Sequence, residues 1–512
     1  MTPFIEKFLE YRHAGFPILY VQTHEEQRVV AEFADLFEDA DWQDPIYHWS
    51  SVVGLRQIGS EAQPERETNA IKVLERLLTL PSGSVVVLKD AGISPLCRYL
   101  RDLIGHLEGT NKTLVFVSPG VAIPMELEKD VTLLAYPLPT REQLGAILGK
   151  MVLEQEAEHK ITIDISGGAR VAGMASGLTT NEARNAFALA LGRHGRLDDA
   201  AARTVLGEKA GALKRSGLVK WIEPSVGIDD VGGLGRLKQY IASIAPLFHE
   251  YAKAKAYGLL DEDFPRSIAL VGMPGCGKSL AAETIATVLK IGLIQTDFGR
   301  IFSSGGGRVG AAESAIEERN KIVEAQAPVV DWCDEMEKGI QGALGHSSQN
   351  PWEARIAGTF LTWLESFRAP ILVVGTINRH EMLPPEMLSR FQRVFWVDFP
   401  TEEERVEIFS IHIKKRKLHF DGGTVASLAA ATTGFNGREI RNIIQSAMQV
   451  GFSTGKAVDR ANIFERIKEI TPLSVLRADD LKMLREWAVK NNVQPAALST
   501  KEKEPVRKIR RP

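Results

Sequence analysis

One segment of this 512-residue chain reads Gly272-Met273-Pro274-Gly275-Cys276-Gly277-Lys278-Ser279. It fits the pattern G-x-x-x-x-G-K-[ST], in which glycines let consecutive backbone N–H groups surround a phosphate without a Cβ clash. Lys278 is expected to reach the β- and γ-phosphates, and the hydroxyl of Ser279 is expected to bind Mg²⁺. A helix that begins at Leu280 would direct its positive end at the same anion.

The sequence on either side of the loop favours a phosphate site over an unrelated glycine turn. Ser267-Ile268-Ala269-Leu270-Val271 is a short apolar run that predicts a strand ending where the loop begins. The Ala-rich stretch from Leu280 to Leu289 predicts a helix with one apolar side. Strand, loop and helix in this order are the context that the pattern requires, so we predict an α/β fold with a parallel sheet.

The composition is typical of a globular protein. Hydrophobic residues make up 44% of the chain and charged residues 25%, and the length predicts about two to four domains. The net charge of −3 gives no general attraction to nucleic acid or to an anionic membrane. The three cysteines have neither metal-site nor disulfide spacing, and no apolar run is long enough to span a membrane. With no signal peptide at the N-terminus, these features predict a cytoplasmic location.

A second motif follows downstream of the loop. The run Pro328-Val329-Val330-Asp331-Trp332-Cys333-Asp334-Glu335 has the form of a Walker B strand, mostly apolar and ending in an Asp-Glu pair. Asp334 would hold Mg²⁺, directly or through water, and Glu335 would polarise the attacking water. Asp331 interrupts a strand that should be buried. Two interpretations of Asp331 stay open, a position facing a solvated cleft and a pairing with a nearby base.

A third apolar strand ends in a side-chain amide. It reads Ile371-Leu372-Val373-Val374-Gly375-Thr376-Ile377-Asn378. Because the carboxyl ends of parallel strands line the ligand crevice, Asn378 is placed to hydrogen-bond the γ-phosphate or the attacking water. The alternative is that Asn378 only begins a turn, since Asn-Arg-His opens the next loop.

The region from about residue 228 to 470 resembles an AAA+ ATPase module. The resemblance is carried by Asp230-Val231-Gly232-Gly233-Leu234, by Asn378, by Leu383-Pro384-Pro385-Glu386-Met387-Leu388-Ser389-Arg390-Phe391 and by Gly434-Phe435-Asn436-Gly437-Arg438-Glu439-Ile440. It implies that the first of these segments touches the adenine and that Asn378 is the sensor 1 residue. It also implies that Arg390 is an arginine finger acting on ATP in the neighbouring subunit, and that Arg438 of the sensor 2 helix faces the phosphates. For Arg438, a solvated surface charge is the alternative.

A narrower resemblance covers nearly the whole chain. It is carried by Gly358-Thr359-Phe360-Leu361-Thr362-Trp363-Leu364, Leu383-Pro384-Pro385-Glu386 and Thr471-Pro472-Leu473-Ser474. These segments are similar to the divergent AAA proteins of cyanobacteria and plastids that have hypothetical-chloroplast-frame names. The resemblance implies a location in the plastid stroma if the chain is plastid-encoded.

Two segments depart from the AAA pattern. Ser389-Arg390-Phe391-Gln392-Arg393 lacks the Arg-x-Gly-Arg-Phe spacing of typical members, which leaves a role for Arg393 open. Phe302-Ser303-Ser304-Gly305-Gly306-Gly307-Arg308-Val309-Gly310 has Arg308 where peptide-threading members have an aromatic residue. A flexible basic loop grips a polypeptide poorly and suits an acidic or phosphate-bearing partner. Arg308 as a solvated loop residue is the equal alternative, so peptide threading stays open.

The N-terminal half has no phosphate-binding loop, yet its apolar runs repeat the order of the second half. These runs are Pro17–Val21, Ser84–Asp90, Thr113–Ser118 and Val131–Thr140. We predict a degenerate AAA-like α/β domain that serves assembly or partner recognition, because no glycine cradle is left for phosphates. An unrelated α/β domain is the alternative, since alternating strands and helices are a common layout.

The predicted organisation has six parts. They are a degenerate AAA-like α/β domain (1–140), a helical lid-like segment (141–216), a linker (217–227), an AAA+ core (228–400), a helical lid (401–470) and a C-terminal helix with a basic tail (471–512). From Lys501 to Pro512 the tail has six basic and two acidic residues. A disordered solubilising tail and a contact with nucleic acid or another partner both stay open.

We interpret the chain as an enzyme, an ATPase that uses Mg²⁺ and converts ATP and water to ADP and phosphate. Because an arginine finger needs a neighbour and modules of this kind usually form hexamers, the resemblance implies a ring-forming homo-oligomer that remodels or regulates an unidentified protein client. Two alternatives stay open. One is an ATP-dependent assembly switch or scaffold with little turnover, and the other is a nucleic-acid-dependent AAA+ protein, which no recognisable nucleic-acid motif supports.

Overall fold

The computed structural model divides the chain into two compact units. The described residues are 2–63, 65–107, 109–120, 123–159, 162–298, 311–337, 351–379, 381 and 388–498. The units are Met1–Lys209 and Ala210–Pro512. Leu213 packs into the core of the second unit. The predicted loop with Arg308, residues 383–387 and the basic tail lie outside the described residues.

The first unit contains a six-stranded sheet with helices on both faces. Its strands are β1 (Ile18–Gln22), β2 (Ile46–Ser50), β3 (Gly54–Gln57), β4 (Val85–Lys89), β5 (Thr113–Ser118) and β6 (Val131–Ala135). Its helices are α1 (Pro3–His13), α2 (Glu26–Phe37), α3 (Ala70–Thr79), α4 (Cys97–Leu107), α5 (Arg141–His159), α6 (Gly168–Met174), α7 (Thr180–His194) and α8 (Asp199–Ser216), the last of which crosses into the second unit. The strand order is β3-β2-β4-β5-β1-β6, and only the β2–β3 pair is antiparallel.

The second unit contains a seven-stranded sheet and a helical lid. Its strands are β7 (Val219–Ile222), β8 (Ser267–Gly272), β9 (Gly292–Asp297), β10 (Val329–Asp334), β11 (Ile371–Ile377), β12 (Arg393–Val397) and β13 (Gln494–Pro495). The helices around the sheet are α9 (Gly235–His249), α10 (Tyr251–Tyr257), α11 (Lys278–Leu289), α12 (Ala311–Ala325) and α13 (Pro351–Ser366). The strand order is β13-β12-β8-β11-β10-β9-β7, and only the β7–β9 pair is antiparallel.

The remaining helices form the lid and the C-terminal segment. They are α14 (Glu402–Lys415), α15 (Gly422–Ala431), α16 (Gly437–Thr454), α17 (Arg460–Lys468), α18 (Leu473–Leu476) and α19 (Ala478–Lys490). The first four bury a separate core that includes Phe409, Leu428, Ile444 and Ile463. Among the described residues, no helix is long and apolar enough to cross a membrane.

The central strands are buried on both faces, which is why they read as continuous apolar runs. In β8, Ile268 and Leu270 enter one hydrophobic core, whereas Ala269 and Val271 enter another. Helices cover each face of a parallel sheet, so neither set of side chains meets water. The predicted α/β class and parallel sheet are confirmed.

Two edge strands lie in segments where no strand was predicted. The predicted linker 217–227 contains β7, and Trp221 packs so closely over Gly292 that a Cβ there would lie 2.3 Å from its ring. This strand has only four residues, too few for its pattern to stand out in the sequence. The predicted C-terminal helix is present as α19, and beyond it β13 adds an unpredicted strand beside β12.

The two sheets share one strand order. The shared strands read β6-β1-β5-β4-β2 in the first unit and β12-β8-β11-β10-β9 in the second, and an antiparallel edge strand lies beyond β2 and beyond β9. At the other edge, β13 of the second unit has no counterpart among the described strands of the first. The first helix after each sheet begins with reciprocal side-chain and backbone hydrogen bonds, between Thr140 and Gln143 and between Thr401 and Glu404. This correspondence favours the degenerate AAA-like interpretation of the N-terminal half over an unrelated α/β domain.

Candidate functional site

The loop between β8 and α11 has the backbone that its glycines allow. Gly275 and Gly277 have φ angles of +86° and +99°, in the region that favours glycine. A Cβ on Gly272 would lie 2.2 Å from the carbonyl oxygen of Val397, so glycine also lets β12 pass close to the end of β8. The predicted strand, loop and helix are confirmed, with the helix beginning at Lys278.

Lys278 is buried at the start of α11 and is held by the loop itself. Its ammonium group donates hydrogen bonds to the carbonyl oxygens of Gly272 at 2.6 Å and Met273 at 2.9 Å. Burial lowers the pKa of Lys278 to about 8, although the acidic groups around it act in the opposite direction. Burial raises the pKa of the Cys276 thiol to about 12, so the loop carries no thiolate that would repel a phosphate.

Asp334 and Glu335, at the carboxyl end of β10, are fixed by Thr376 of the neighbouring strand β11. The Thr376 hydroxyl donates to Oδ1 of Asp334 at 2.7 Å and accepts from the backbone N–H of Glu335 at 3.1 Å. Glu335 has a φ of +46°, which non-glycine residues rarely adopt. The predicted Walker B strand is present as β10, and Thr376 is a functional contact that the sequence analysis missed.

Asn378 lies just beyond β11 and contacts two carboxylates. Its side-chain amide donates to Oε1 of Glu335 at 3.3 Å, and its backbone N–H donates to Oε1 of Glu337 at 3.1 Å. Glu337 is 3% exposed, and burial is the main cause of its raised pKa. Its second oxygen has no hydrogen-bond partner in the described part of the chain. Glu337 was missed because the predicted motif ended at Glu335.

A cavity of about 820 Å³ opens at this edge of the sheet. Its size is within the range of small-molecule sites, about 300–1,000 Å³. The predicted residues that line it are Asp230, Val231, Gly232, Pro274, Gly275, Cys276, Gly277, Lys278, Ser279, Leu280, Asp334, Glu335, Asn378 and Arg438. Three predicted residues, Gly272, Met273 and Arg390, are not among its lining residues.

The lining groups fit a magnesium-bound triphosphate. The glycine loop offers backbone N–H groups in a cradle that side chains at Gly275 and Gly277 would strain. One ammonium group, from Lys278, and one hydroxyl–carboxylate pair, from Ser279 and Asp334, face the same cavity. Hydroxyl and carboxylate oxygens are the ligands that Mg²⁺ takes together with substrate phosphates.

The segment before the loop is bonded to the lid. The backbone N–H of Gly233 donates to Oε2 of Glu407 at 2.7 Å, and that of Leu234 donates to Oε1 of Glu404 at 3.2 Å. Both carboxylates belong to α14. The lid and the predicted adenine-contacting segment are therefore joined directly, which local sequence patterns could not reveal.

Two further contacts complete this side of the cavity. Lys415 of α14 forms an ion pair of 2.7 Å with Asp230. A Cβ on Gly232 would lie 2.7 Å from Cγ1 of Ile408, so a side chain there would displace the lid helix. Asp230 and Gly232 therefore serve the approach of the lid as well as the cavity wall.

His412 is a cavity residue that the sequence analysis missed. Burial and the neighbouring charges of Arg416, Lys415 and Arg441 lower its pKa to about 4. The imidazole is therefore neutral near pH 7 and can take part in hydrogen bonds as donor and acceptor. All four side chains line the cavity. His412, Lys415 and Arg416 lie at the C-terminal end of α14, whereas Arg441 comes from α16, so the cluster forms only when the two helices pack.

Helix α16, predicted to be the sensor 2 helix, begins against the loop between β8 and α11. Asn436 caps this helix, and its side-chain amide donates to the carbonyl oxygen of Pro274 at 3.4 Å. The backbone N–H of Arg438 donates to the carbonyl oxygen of Gly275 at 3.2 Å. Arg438 is exposed and lines the cavity, so the phosphate-facing role stays a prediction beside the alternative of a solvated surface charge.

The two arginines of the predicted finger segment have different surroundings. Arg390 is exposed and forms an ion pair with Glu365. Arg393 lies over the ring of Tyr240, at 5.6 Å from its centroid. Neither residue lines the cavity of its own chain.

The structure decides between the two interpretations of Asp331. Asp331 forms an ion pair with Arg319 of α12, and both side chains are fully buried. The hydroxyl of Thr296 in β9 also donates to Asp331, at 2.8 Å. The guanidinium of Arg319 lies 4.7 Å from the ring centroid of Trp363. Asp331 therefore belongs to a buried network behind the Walker B strand and not to a solvated cleft.

Three family models match the chain. Residues 4–136 match the N-terminal domain of SpoVK-like AAA ATPases, and residues 142–216 match the second domain of the same proteins. Residues 268–399 match the ATPase family associated with various cellular activities (AAA). The third match contains the phosphate-binding loop, the Walker B strand and Asn378.

Known proteins are similar to the chain over its whole length or over the second unit. The AAA domain-containing protein ycf46 of Guillardia theta is 27% identical over 503 residues, covering 96% of each chain, and that of Trieres chinensis is 29% identical over 499 residues, covering 94% of this chain and 96% of the other. The ATP-dependent zinc metalloprotease FtsH of Helicobacter felis is 30% identical over 264 residues, covering 49% of this chain and 40% of that protein. Residues 268–399 therefore form an AAA-type ATPase domain, and over nearly its whole length the chain is similar to ycf46 proteins.

Proposed function

We propose that the second unit binds ATP with Mg²⁺ and hydrolyses it to ADP and phosphate. The observation that carries the proposal is the hydrogen bond from Asn378 to Glu335, within the cavity that also contains Lys278. A carboxylate held by an amide beside a phosphate cradle is an arrangement suited to activating water. The match of residues 268–399 to the AAA family model supports the same reaction.

The residues of the cavity take distinct roles in this proposal. Lys278 and the loop amides bind the β- and γ-phosphates, and Ser279 with Asp334 would hold Mg²⁺, which supplies charge neutralisation when bound. Glu335 accepts a proton from the attacking water, and Asn378 orients that carboxylate. Asp230, Val231 and Gly232 form the wall proposed for the adenine.

We also propose that the active form is a homo-oligomeric ring, of six subunits by analogy with the family. Arg390 is exposed and does not line the cavity of its own chain, which suits a residue that completes the site of a neighbour. An arginine supplied in trans can stabilise the charge of phosphoryl transfer by a factor of about 10³–10⁵. The proposed use of this turnover is to remodel or regulate a protein partner.

The test of hydrolysis compares corresponding residues in the two units. Glu335→Gln should bind ATP as tightly as the wild type but release phosphate about 10²–10⁴-fold more slowly, because the general base is lost. Asp90→Asn is the matched control, since Asp90 follows β4 as Glu335 follows β10 and has a φ of +50°. Phosphate release by Asp90→Asn should equal that of the wild type.

The outcomes separate the possible functions of the site. Wild-type turnover in Glu335→Gln would remove Glu335 from the mechanism. ATP binding with negligible turnover in the wild-type oligomer would instead support an assembly switch or scaffold. Proteins or nucleic acid that co-purify with ATP-bound Glu335→Gln, and not with Lys278→Ala, would identify the class of partner.

A further inference from the structure

Helix α7 in the first unit and the sensor 2 helix α16 begin with related sequences. The first reads Gly177-Leu178-Thr179-Thr180-Asn181-Glu182, and the second reads Gly434-Phe435-Asn436-Gly437-Arg438-Glu439. The glycines have φ angles of +83° and +81°, and each helix has a capping box in which a Glu three residues after the cap bonds back to it. α7 therefore corresponds to α16, with Asn181 in the place of Arg438.

Each of these helices begins against the loop that follows a central strand. In the second unit, the N-terminus of α16 contacts the carbonyl oxygens of Pro274 and Gly275. In the first unit, the backbone N–H of Thr180 donates to Oε1 of Glu25 at 2.5 Å. Glu25 immediately precedes α2 as Gly277 immediately precedes α11. A carboxylate therefore lies at the loop that corresponds to the phosphate cradle.

The side chain of Glu25 is buried and hydrogen-bonded within the first unit. It is 4% exposed, and its other oxygen, Oε2, accepts from Nη1 of Arg28 at 2.8 Å. Its side chain makes no capping bond to α2, so its carboxylate serves α7 instead. Thr180 is the first residue of α7, and its N–H has no acceptor inside the helix. A negatively charged group at this position accepts a hydrogen bond from that N–H and stabilises the positive end of the helix dipole.

The charges beside Glu25 are reversed relative to the second unit. There, a cation at the start of α11, Lys278, stands near an acid at the end of β10, Asp334. In the first unit, Glu26 at the start of α2 forms an ion pair of 3.8 Å with Lys89 at the end of β4. Internal ion pairs thus replace the cation that the second unit directs at a phosphate.

We propose that Glu25 takes the place of a nucleotide phosphate in the first unit and keeps α7 docked on the β1–α2 loop without nucleotide. In the second unit, the corresponding loop is left open for a ligand. In the first unit, a carboxylate of the chain itself occupies this place at all times. Arg28 extends the closure, because its guanidinium also donates to the carbonyl oxygen of Pro137 at 2.9 Å and to Gln143 at 3.4 Å. The proposal does not depend on ATP hydrolysis by the second unit.

Amide hydrogen exchange of the full-length chain, resolved at single residues, tests this proposal at Thr180. In the wild type this amide should exchange slowly, and Glu25→Ala should accelerate its exchange about tenfold or more, because one hydrogen bond is lost. The amide of Glu182, held by the Thr179 hydroxyl at 3.3 Å, should be much less affected. Glu26→Gln is the control, since Glu26 pairs with Lys89 and not with α7.

Each outcome supports or overturns the proposal. Unchanged exchange of Thr180 in Glu25→Ala, or equal acceleration in Glu26→Gln, would overturn it. If Glu25→Ala does not fold, Glu25→Leu keeps much of the bulk and removes the acceptor, and wild-type exchange of Thr180 in this variant would also overturn it. The experiment is repeated with ATP on Lys278→Ala, where slower exchange of Thr180 would reveal a nucleotide site in the first unit and contradict a permanent closure.

Discussion

The two units have the same strand order and corresponding lid helices, but they differ in the loop that follows β1 in one and β8 in the other. The second unit has a glycine cradle there, with Lys278 buried at its end. The first has Glu25, which α7 and Arg28 already bind. One loop offers a place for an anion, whereas the other contains its own.

Comparing the two units shows which features belong to the shared backbone and which belong to the proposed ATP site. Asp90 and Glu335 follow corresponding strands, and both have φ angles in the left-handed region, +50° and +46°. Because the unit without a phosphate cradle has the same unusual backbone, this conformation belongs to the strand order and is not a catalytic strain at Glu335. The chemistry requires specific side chains on that backbone.

The largest expected effect is the loss of ATP turnover in a variant of Arg390. The second unit is proposed to need this residue from a neighbouring subunit, whereas the first unit is closed by its own residues. Arg390→Ala should keep ATP binding and lose turnover about 10³-fold. Arg393→Ala is the matched control, since Arg393 packs on Tyr240 away from the cavity. Phosphate release should partly recover when Arg390→Ala and Glu335→Gln subunits are mixed. A turnover per chain that is independent of protein concentration would argue against a residue supplied in trans.

The buried ion pair of Asp331 and Arg319 should control the stability of the second unit alone. Asp331→Asn leaves an uncompensated guanidinium in the core and should lower the free energy of unfolding by about 3–5 kcal/mol. Exchange of the core amides of β10 and β4 distinguishes the two units, and only β10 should lose protection. The double variant Asp331→Val, Arg319→Met should be less destabilised than Asp331→Asn. Equal stability of wild type and Asp331→Asn would show that the pair contributes little.

Thr376 should have a smaller effect, confined to the chemical step. Thr376→Val removes the donor to Asp334 and the acceptor for the Glu335 N–H, and should lower kcat about tenfold while the Kd for ATP changes little. Thr376→Ser keeps the hydroxyl and should retain most of the activity. Steady-state kinetics and equilibrium binding measure the two quantities, and a wild-type kcat in Thr376→Val would exclude this positioning role.

The smallest expected effect is the pH dependence that His412 gives to the lid. Burial lowers its pKa to about 4 in the folded chain, against about 6.5 when unfolded. The unfolded chain therefore binds an extra proton between these values, so stability is complete above about pH 6.5 and declines towards pH 4. At pH 5 the loss should be about 1 kcal/mol, since His412 is only partly buried. His412→Phe should flatten this profile, measured by exchange of α14 amides, and an unchanged profile would refute it.

Much of the site could be predicted because its residues follow one another along the chain. The loop at 272–279 and the Asp334-Glu335 pair each lie in one continuous segment, so the residue types needed for the proposed site can be recognised directly from their spacing. Asn378 could be placed because the ends of parallel strands meet at one edge. In the first unit, the apolar runs indicated β1, β4, β5 and β6 in their order along the chain, but not β2 or β3.

The parts that were missed depend on contacts between distant segments. Asp331 could not be assigned because its partner, Arg319, lies on a helix behind the sheet. Glu404 and Glu407 reach the backbone of residues 233 and 234 only after the lid has folded. The short edge strand β7 is paired with β9, which lies about seventy residues further along the chain. The resemblance of Gly177–Glu182 to Gly434–Glu439, however, was visible in the sequence and would have indicated the corresponding lid helices.

The stoichiometry of nucleotide binding tests most directly the central claim, which is that one unit has a nucleotide site and the other has closed its own. Equilibrium binding of ATP and Mg²⁺ to Glu335→Gln should give one nucleotide per chain. Binding to the double variant Lys278→Ala, Glu335→Gln should be lost, because Lys278 is the only P-loop lysine in the sequence. Two nucleotides per chain, or one that persists after the loss of Lys278, would contradict the account.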